Sequence, residues 1–388
     1  MDYASAPPVL PAALRAMAEA HHLIGNPSAI HTEAVAAAEA LEDARTRIAA
    51  QLSVKAREII FTSGLTESNN LALIGYARAL ERTRRTLKGS HWLVSAIEHT
   101  SVLDCFGEIE RMGGTVEHIM PDERGRVTPD AVRAMLRKET VLVSAGWANN
   151  EIGTIQQLGK IRTVLEAHEK QHATNVLLHS DAGQAPLYLP NTAHTLRVDM
   201  LSLGGNKLYG PHGIGVLFLS GRVDLVRAMQ GGPQERKLRP GTESVALARG
   251  FAAAHEAIAQ QREKESKRIR VIRDAMAAEL LAGIPGLAIN GDLEHSLPHM
   301  LNISVPKIQS EYITLALDKE GIAVSTKSAC REGEESESHV VAALGGDSPA
   351  CEWRAKTTLR FSLGADTTAQ DAKRAAKTLI RLVNSIRS

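Results

Sequence analysis

Between Asp199 and Leu219 the chain reads DMLSLGGNKLYGPHGIGVLFL, which places Lys207 in a bend made by Gly204, Gly205 and Asn206 between two apolar runs. A second turn, built on Gly210, Pro211 and Gly213, follows at once. Glycines beside a cation let another molecule come close to the backbone. A lysine at the edge of an apolar sheet loses its proton readily and becomes an amine nucleophile toward an aldehyde. A solvated loop lysine has the same local sequence, so the reading depends on what else reaches that edge. Three further loops bear on it. Ser63-Gly64-Leu65-Thr66-Glu67-Ser68 joins a predicted strand to a predicted helix, where first-turn N–H groups and the helix dipole form an anion cradle; an ordinary N-cap at Ser63 or Thr66 reads identically. Asp181, in HSDAGQ, could pair with a cationic ring nitrogen or cap a turn, and His99, after Glu98, could stack on a planar ring or face solvent. A phosphate cup, an acid, an imidazole and an amine at one edge suit a phosphorylated pyridine aldehyde, which needs a Schiff-base lysine, a carboxylate on its ring nitrogen and an anchor for its phosphate.

The elements that must position these groups follow from periodicity. Helices are expected at residues 11–22 and 28–51, on either side of Gly25-Asn26-Pro27. Strands at 58–62, 92–97, 115–120, 140–147 and 175–179 then alternate with helices at 66–80, 100–111, 128–137 and 160–170, before the two strands around Lys207. That alternation predicts a mostly parallel sheet covered on both faces, with ligands bound outside the carboxyl ends of its strands. Beyond Gly231 the pattern changes. A polar loop, GGPQERKLRPGTE, leads into one or two long helices over 244–281. Strands at 288–290, 299–305, 322–326 and 357–363 and helices at 310–319, 338–344 and 368–386 then read as a smaller α+β layer.

The bulk composition excludes several classes of function. The 388 residues are 44% hydrophobic, enough for a large core and about two domains, and only 3% aromatic, so that core is chiefly Ala, Leu, Ile and Val. Lys and Arg number 45 against 44 Asp and Glu, which leaves no basic field for nucleic acid or an anionic membrane. Cys105, Cys330 and Cys351 form neither a disulfide framework nor a zinc motif, which points to a reducing compartment and no metal. With no apparent secretion signal and no bilayer-length apolar run, the expectation is a soluble cytoplasmic protein acting on a small molecule.

The motifs TSGLTESNNLA, EHTSVLD, NNEIGTIQ, HSDAGQ, GGNKLYGPHGIG, RPGTES, STKSAC and TTLRFSLG resemble, in content and order, those of cysteine desulfurases in the class V aminotransferase group of fold-type I pyridoxal phosphate (PLP) enzymes. The resemblance runs from Asp2-Tyr3 past Arg360. It implies an α/β fold of type I: a mostly parallel seven-stranded sheet flanked by helices, with a smaller α+β C-terminal domain. The division it suggests is 1–15 as a segment packing with the small domain, 16–250 as the PLP-binding domain, and 251–388 as the small domain carrying a cysteine loop. By the same resemblance Lys207 binds the cofactor and shuttles the Cα proton, Asp181 pairs with the ring nitrogen, Gln184 bonds the ring oxygen and His99 stacks on the ring. Gly64, Leu65 and Thr66 hold the phosphate, and Thr242 reaches it from a partner subunit, which implies a homodimer with shared sites. Asn150 and Arg360 hold the substrate carboxylate, for which a guanidinium fork is suited. Cys330 occupies the place of the persulfide-forming cysteine, taking sulfur from L-cysteine, leaving L-alanine, and passing the sulfur to a protein scaffold or carrier, as in iron–sulfur cluster assembly; Cys105 and Cys351 are incidental.

Three departures stand against the family pattern. Gly204-Gly205-Asn206-Lys207 replaces the usual Ser-Gly-His-Lys, so a hydroxyl and an imidazole on the phosphate are missing, and Asn206 or freed backbone N–H groups must substitute for them. Glu332, Glu334, Glu335 and Glu337 surround Cys330, where carboxylates disfavour a thiolate while Lys327 and Arg331 favour it. Lys327 itself replaces a small residue. A selenocysteine lyase or other class V PLP enzyme, and a catalytically weakened sulfur-carrier scaffold, remain the alternative readings.

Overall fold

The computed structural model describes residues 1–190, 192–326, 337–345 and 349–387. After α1 (Pro11–Ala20) and α2 (Thr32–Leu52) come β1 (Ile59–Thr62), α3 (Leu65–Arg84), β2 (His91–Ser95), α4 (Thr100–Arg111), β3 (Thr115–Ile119), α5 (Pro129–Met135) and β4 (Thr140–Ser144). Then follow α6 (Leu158–His172), β5 (Leu177–Asp181), the short α7 (Ala193–Leu196), β6 (Met200–Gly204), β7 (Gly215–Leu219) and the short turn α8 (Gln234–Lys237). These strands make one seven-stranded sheet in the order β1-β7-β6-β5-β4-β2-β3. β7 runs antiparallel to both of its neighbours, β6 and β1, and the remaining pairs are parallel. The expected α/β architecture is therefore the one observed.

Local sequence explains these elements. β2 (HWLVS) and β4 (TVLVS) are buried at all five positions, as strands covered by helices on both faces must be. Tyr76, Trp92 and Phe106 pack edge to face between helices and sheet, with centroids 5.6 and 6.5 Å apart. α2 and α6 each stop where a residue, Ser53 or Ala173, turns left-handed.

The stretch expected as one or two helices is a single 39-residue helix, α9 (Val245–Gly283). Beyond it β8 (Ala288–Ile289), β9 (Met300–Ser304) and β10 (Thr358–Ser362) form an antiparallel sheet in the order β10-β9-β8, with α10 (Ser310–Lys319), α11 (His339–Ala343), α12 (Pro349–Lys356) and α13 (Ala369–Arg387). Two expectations fail here. Residues 322–326 form no strand, because only Ser325 bridges, to Arg360, and the ladder does not continue. The stretch around Cys351, where no helix or strand is expected, is helical in α12. One apolar cluster joins the two layers, running from Ile48 and Phe251 to Ile303 and Leu379.

His179, His255 and His299 are fully buried, and burial pushes each imidazole down to about 3. Among the described residues His299 has no hydrogen-bond partner at either ring nitrogen, and it packs 4.6 Å from the Tyr188 ring. Because the folded values lie below the unfolded one of ~6.5, the stability these groups leave intact above pH 6.5 is lost progressively as pH falls toward 3. Burial acts oppositely on the Glu98 carboxyl, pushed up to about 7, and raises Asp199 as well, but it also lowers His91 and His99, so the imidazoles outnumber the carboxyls. Urea unfolding midpoints are therefore expected to fall between pH 7 and pH 5, and a midpoint that rises on acidification would count against the buried neutral histidines.

Candidate functional site

The carboxyl ends of β2, β4, β5 and β6 open onto one cavity of about 350 Å³. Each strand ends and a site residue follows. Glu98 and His99 come after β2, Gly146 to Asn150 after β4, Asp181 closes β5, and Asn206 and Lys207 follow β6. The first turn of α3, with Ser63, Gly64, Leu65 and Thr66, forms the opposite wall, and Arg360 enters from β10. Of the residues predicted for the site, Lys207, Asp181, Gln184, His99, Gly64, Leu65, Thr66, Asn206, Asn150 and Arg360 all line this cavity. Thr242 does not. It lies in a neighbouring cavity of about 130 Å³ that shares Gly213 with the first. Cys330 lies outside the described residues, as do all of residues 327–336.

Asp181 is held on both carboxylate oxygens: Oδ1 accepts from Gly183 N at 2.8 Å and Oδ2 from Asn69 Nδ2 at 2.8 Å. Asn69 also donates to Ser101 Oγ at 3.0 Å, and Ser101 N donates to His99 Nδ1 at 3.1 Å, so one polar chain links acid and imidazole. Burial depresses the His99 imidazole, with Asp181 opposing and Lys207 adding to the shift. A neutral ring whose Nδ1 accepts a backbone N–H carries its proton on Nε2. His99 thereby also caps α4. Lys207 Nζ donates to the carbonyls of Ala4 at 2.9 Å and Ser5 at 2.7 Å.

The α3 cradle depends on close backbone contact. Gly64 has φ 157° and ψ 179°, a conformation essentially restricted to glycine. Gly215 on β7 packs so tightly against it that a Cβ there would lie 2.6 Å from the Gly64 carbonyl carbon. Glu67 Oε2 accepts from Ser63 N at 2.6 Å while Oε1 accepts from Arg239 Nε at 2.9 Å. Burial would raise this carboxyl, but Arg239 and Ser63 outweigh it and hold it low. On the far wall Arg360, almost wholly buried, donates to Asn150 O at 3.0 Å.

Other residues of the wall carry no motif of their own. Glu98 is buried beside Asp181, and its Oε1 accepts from Gly146 N at 2.8 Å. Burial raises it to about 7, with the Gly146 N–H opposing and the Asp181 charge assisting. Its signal in the sequence is its place next to His99 where a strand stops. Ala4, Ser5 and His212 also line the cavity without having been singled out. Cys105 is buried, its thiol is pushed up to about 12 by burial, and it donates to Ser101 O.

Comparison with known proteins agrees with this geometry. The aminotransferase class-V family profile matches residues 1–374. A cysteine desulfurase IscS of Dictyoglomus turgidum is 35% identical over 389 residues, spanning 100% of this chain and 95% of the relative. A solved NifS-like protein superposes with a TM-score of 0.89 at 29% identity, covering 99% of this chain and 98% of that one. A structure of SspA in complex with cysteine superposes with a TM-score of 0.78 at 31% identity, covering 93% and 97%.

A Cβ at Gly183 would sit 2.6 Å from Leu65 Cδ2 and 3.2 Å from Asp181 Oδ1, whereas one at Gly221 meets nothing within 4 Å. Gly183→Ala is expected to cost about 1–3 kcal/mol of stability by overpacking, and Gly221→Ala to be near neutral. Thermal or urea melting of the two variants side by side checks this.

Proposed function

The chain belongs to the class-V aminotransferase family, whose members use PLP, and from that premise we propose that it is a cysteine desulfurase, converting L-cysteine to L-alanine and passing the sulfur through Cys330 to a protein acceptor. The observation that carries this reading is the convergence of Lys207, Asp181, His99, Gln184 and the α3 first turn with Asn150 and Arg360 around one cavity. The residues present fit the cofactor. Gln184 Oε1 and Arg360 Nε are buried without hydrogen-bond partners among the described residues, and the first N–H groups of a helix have no intrahelical acceptor.

In this reading Lys207 binds the aldehyde, Asp181 keeps the ring nitrogen protonated, Gln184 serves the ring oxygen and His99 borders the ring. Gly64, Leu65, Thr66 and Asn206 hold the phosphate, with Asn206 in the part of the absent imidazole, and Thr242 completes the partner subunit's site in a homodimer. The bound cofactor supplies an electron sink when a proton leaves the substrate's Cα. Arg360 and Asn150 fix the substrate carboxylate, Lys207 takes the proton, and the Cys330 thiolate attacks the substrate sulfur. The Cβ–S bond breaks as the S–S bond to Cys330 forms, the electron pair left at Cβ takes up a proton, and the proton held by Lys207 returns to Cα, which completes L-alanine. Residues 16–250 act as the cofactor-binding domain and 251–388 as the domain that presents the thiol, with 1–15 packed on the latter. The reading places the protein in the cytoplasm, with a protein sulfur carrier as acceptor; no helix among the described residues is long and apolar enough to cross a membrane.

A visible spectrum of the protein with PLP, together with sulfide release from L-cysteine under reductant, tests this. The wild type is expected to turn yellow and release sulfide, with L-cysteine preferred over selenocysteine and cysteine sulfinate. Cys330→Ala should keep the colour and lose sulfide release, and Lys207→Ala should lose the lysine-linked colour. Alanine formation by Cys330→Ala at the wild-type rate would contradict the role given to the thiol.

A further inference from the structure

The first five residues run alongside β10. Asp2 forms a parallel bridge with Ser362, Ser362 N donates to Met1 O at 2.9 Å, Tyr3 N donates to Ser362 O at 3.2 Å, and Ala4 N donates to Ser362 Oγ at 2.9 Å. The Tyr3 ring fills the space that a side chain at Gly364 would need. From this rail the segment reaches two cations of the candidate site. Lys207 Nζ lies between the Ala4 and Ser5 carbonyls, and Ala4 O also accepts from Gln184 Nε2 at 3.0 Å. Arg360 Nη2 donates to Asp2 Oδ1 at 2.9 Å, to Ser5 Oγ at 3.1 Å and to Ser325 Oγ at 3.1 Å, while Ser5 Oγ donates to Asp2 Oδ2 at 2.5 Å. Ala4 and Ser5 line the cavity and Asp2 does not, so Asp2 holds the guanidinium from outside it. Arg360 Nε has no hydrogen-bond partner among the described residues.

We propose that residues 2–5 belong to the candidate site. Asp2 and Ser5 are positioning residues that aim the Arg360 guanidinium at a substrate carboxylate, and the Ala4 and Ser5 carbonyls dock the Lys207 ammonium. This rests on the desulfurase reading. A guanidinium binds a carboxylate well only when its plane is fixed beforehand, and the two N–H bonds of Nη2, shared among Asp2, Ser5 and Ser325, fix it. An ammonium is a pure donor, so carbonyls aimed at it stabilise the protonated lysine. When the proton moves from the substrate's Cα to Nζ, the C–H electron pair stays with the substrate and the new N–H bonds find acceptors already in place.

The test uses the full chain loaded with PLP. Asp2→Ala and Ser5→Ala are expected to raise KM for L-cysteine about tenfold with kcat held within about twofold, as loss of uniform binding does. The Kd of L-alanine, read from the spectral change of the loaded protein, should rise in parallel, and Asp2→Asn should restore most of the loss. Unchanged KM would overturn the assignment, and so would a lower KM, which would make Asp2 a competitor for Arg360. For the lysine, cofactor-free full chain is compared with a chain lacking residues 2–5, and acylation of Lys207 at pH 7 is followed by peptide mass spectrometry. Labelling about tenfold faster without the segment is expected, and equal labelling overturns the docking role. If the shortened chain does not melt cooperatively, Ser362→Ala, which removes only the hold on Ala4 N, replaces it, with faster labelling again expected. A wild type that takes up PLP but turns over no L-cysteine sinks the desulfurase reading, and with it the carboxylate role of Arg360; the labelling comparison then still decides the docking role alone.

Discussion

The site depends on one constraint, that β2, β4, β5 and β6 run the same way. Parallel strands deliver all their carboxyl ends to one edge of the sheet, so residues spread over more than a hundred positions, from Glu98 to Lys207, meet around a single cavity. β7 makes this possible by running against its neighbours. The chain leaves β6, makes the bend that carries Lys207 and returns beside the strand it came from, so the lysine sits at the cavity edge and does not continue into a distant crossover. Gly215, at the start of that return, lets β7 press against Gly64 and so joins the lysine bend to the α3 cradle.

Charge in the cavity is arranged in opposed pairs. Asp181 is fixed by two donors, and the neutral His99 is tied to it through Asn69 and Ser101. The two cations stand on the other side, met by backbone carbonyls and Asp2. Glu98, wholly buried next to Asp181, avoids a second adjacent anion because its proton is held up to about neutral pH. A site built this way leaves little to be reorganised when a charged ligand enters, since the Asp181 carboxylate and the Arg360 guanidinium are already held in place, while Arg360 Nε has no partner among the described residues.

Much of this was legible in the sequence, because strand, glycine loop and helix are local patterns and the chemistry-bearing residues fall where strands stop. Asp181, Lys207 and the α3 loop were readable for that reason. The Ala4 and Ser5 contacts join positions about two hundred residues apart, and Asp2 meets Arg360 from the other end of the chain, so no periodicity could reveal them. Glu98 was hidden differently: a glutamate beside a histidine reads as surface until a sheet buries it. Residues 322–326 alternate as a strand does, yet the hydrogen-bonding edge they would need is used only at Ser325. Thr242, whose expected role came only from the resemblance, sits beside the cavity and not in it.

α9 has a consequence of its own. Its buried positions fall in two groups, Val245 to His255 and Ile269 to Leu280, and none of residues 256–268 between them is buried. That bare span, about 20 Å at 1.5 Å per residue, touches the large sheet's side through Arg262 on Pro186 O and the small layer through Arg268 on the carbonyls of 364–367. Inserting or removing a single residue in that span would rotate one end of the helix by about 100° relative to the other, and so turn the buried face at 269–280 away from the layer it packs on while the face at 245–255 stays in place.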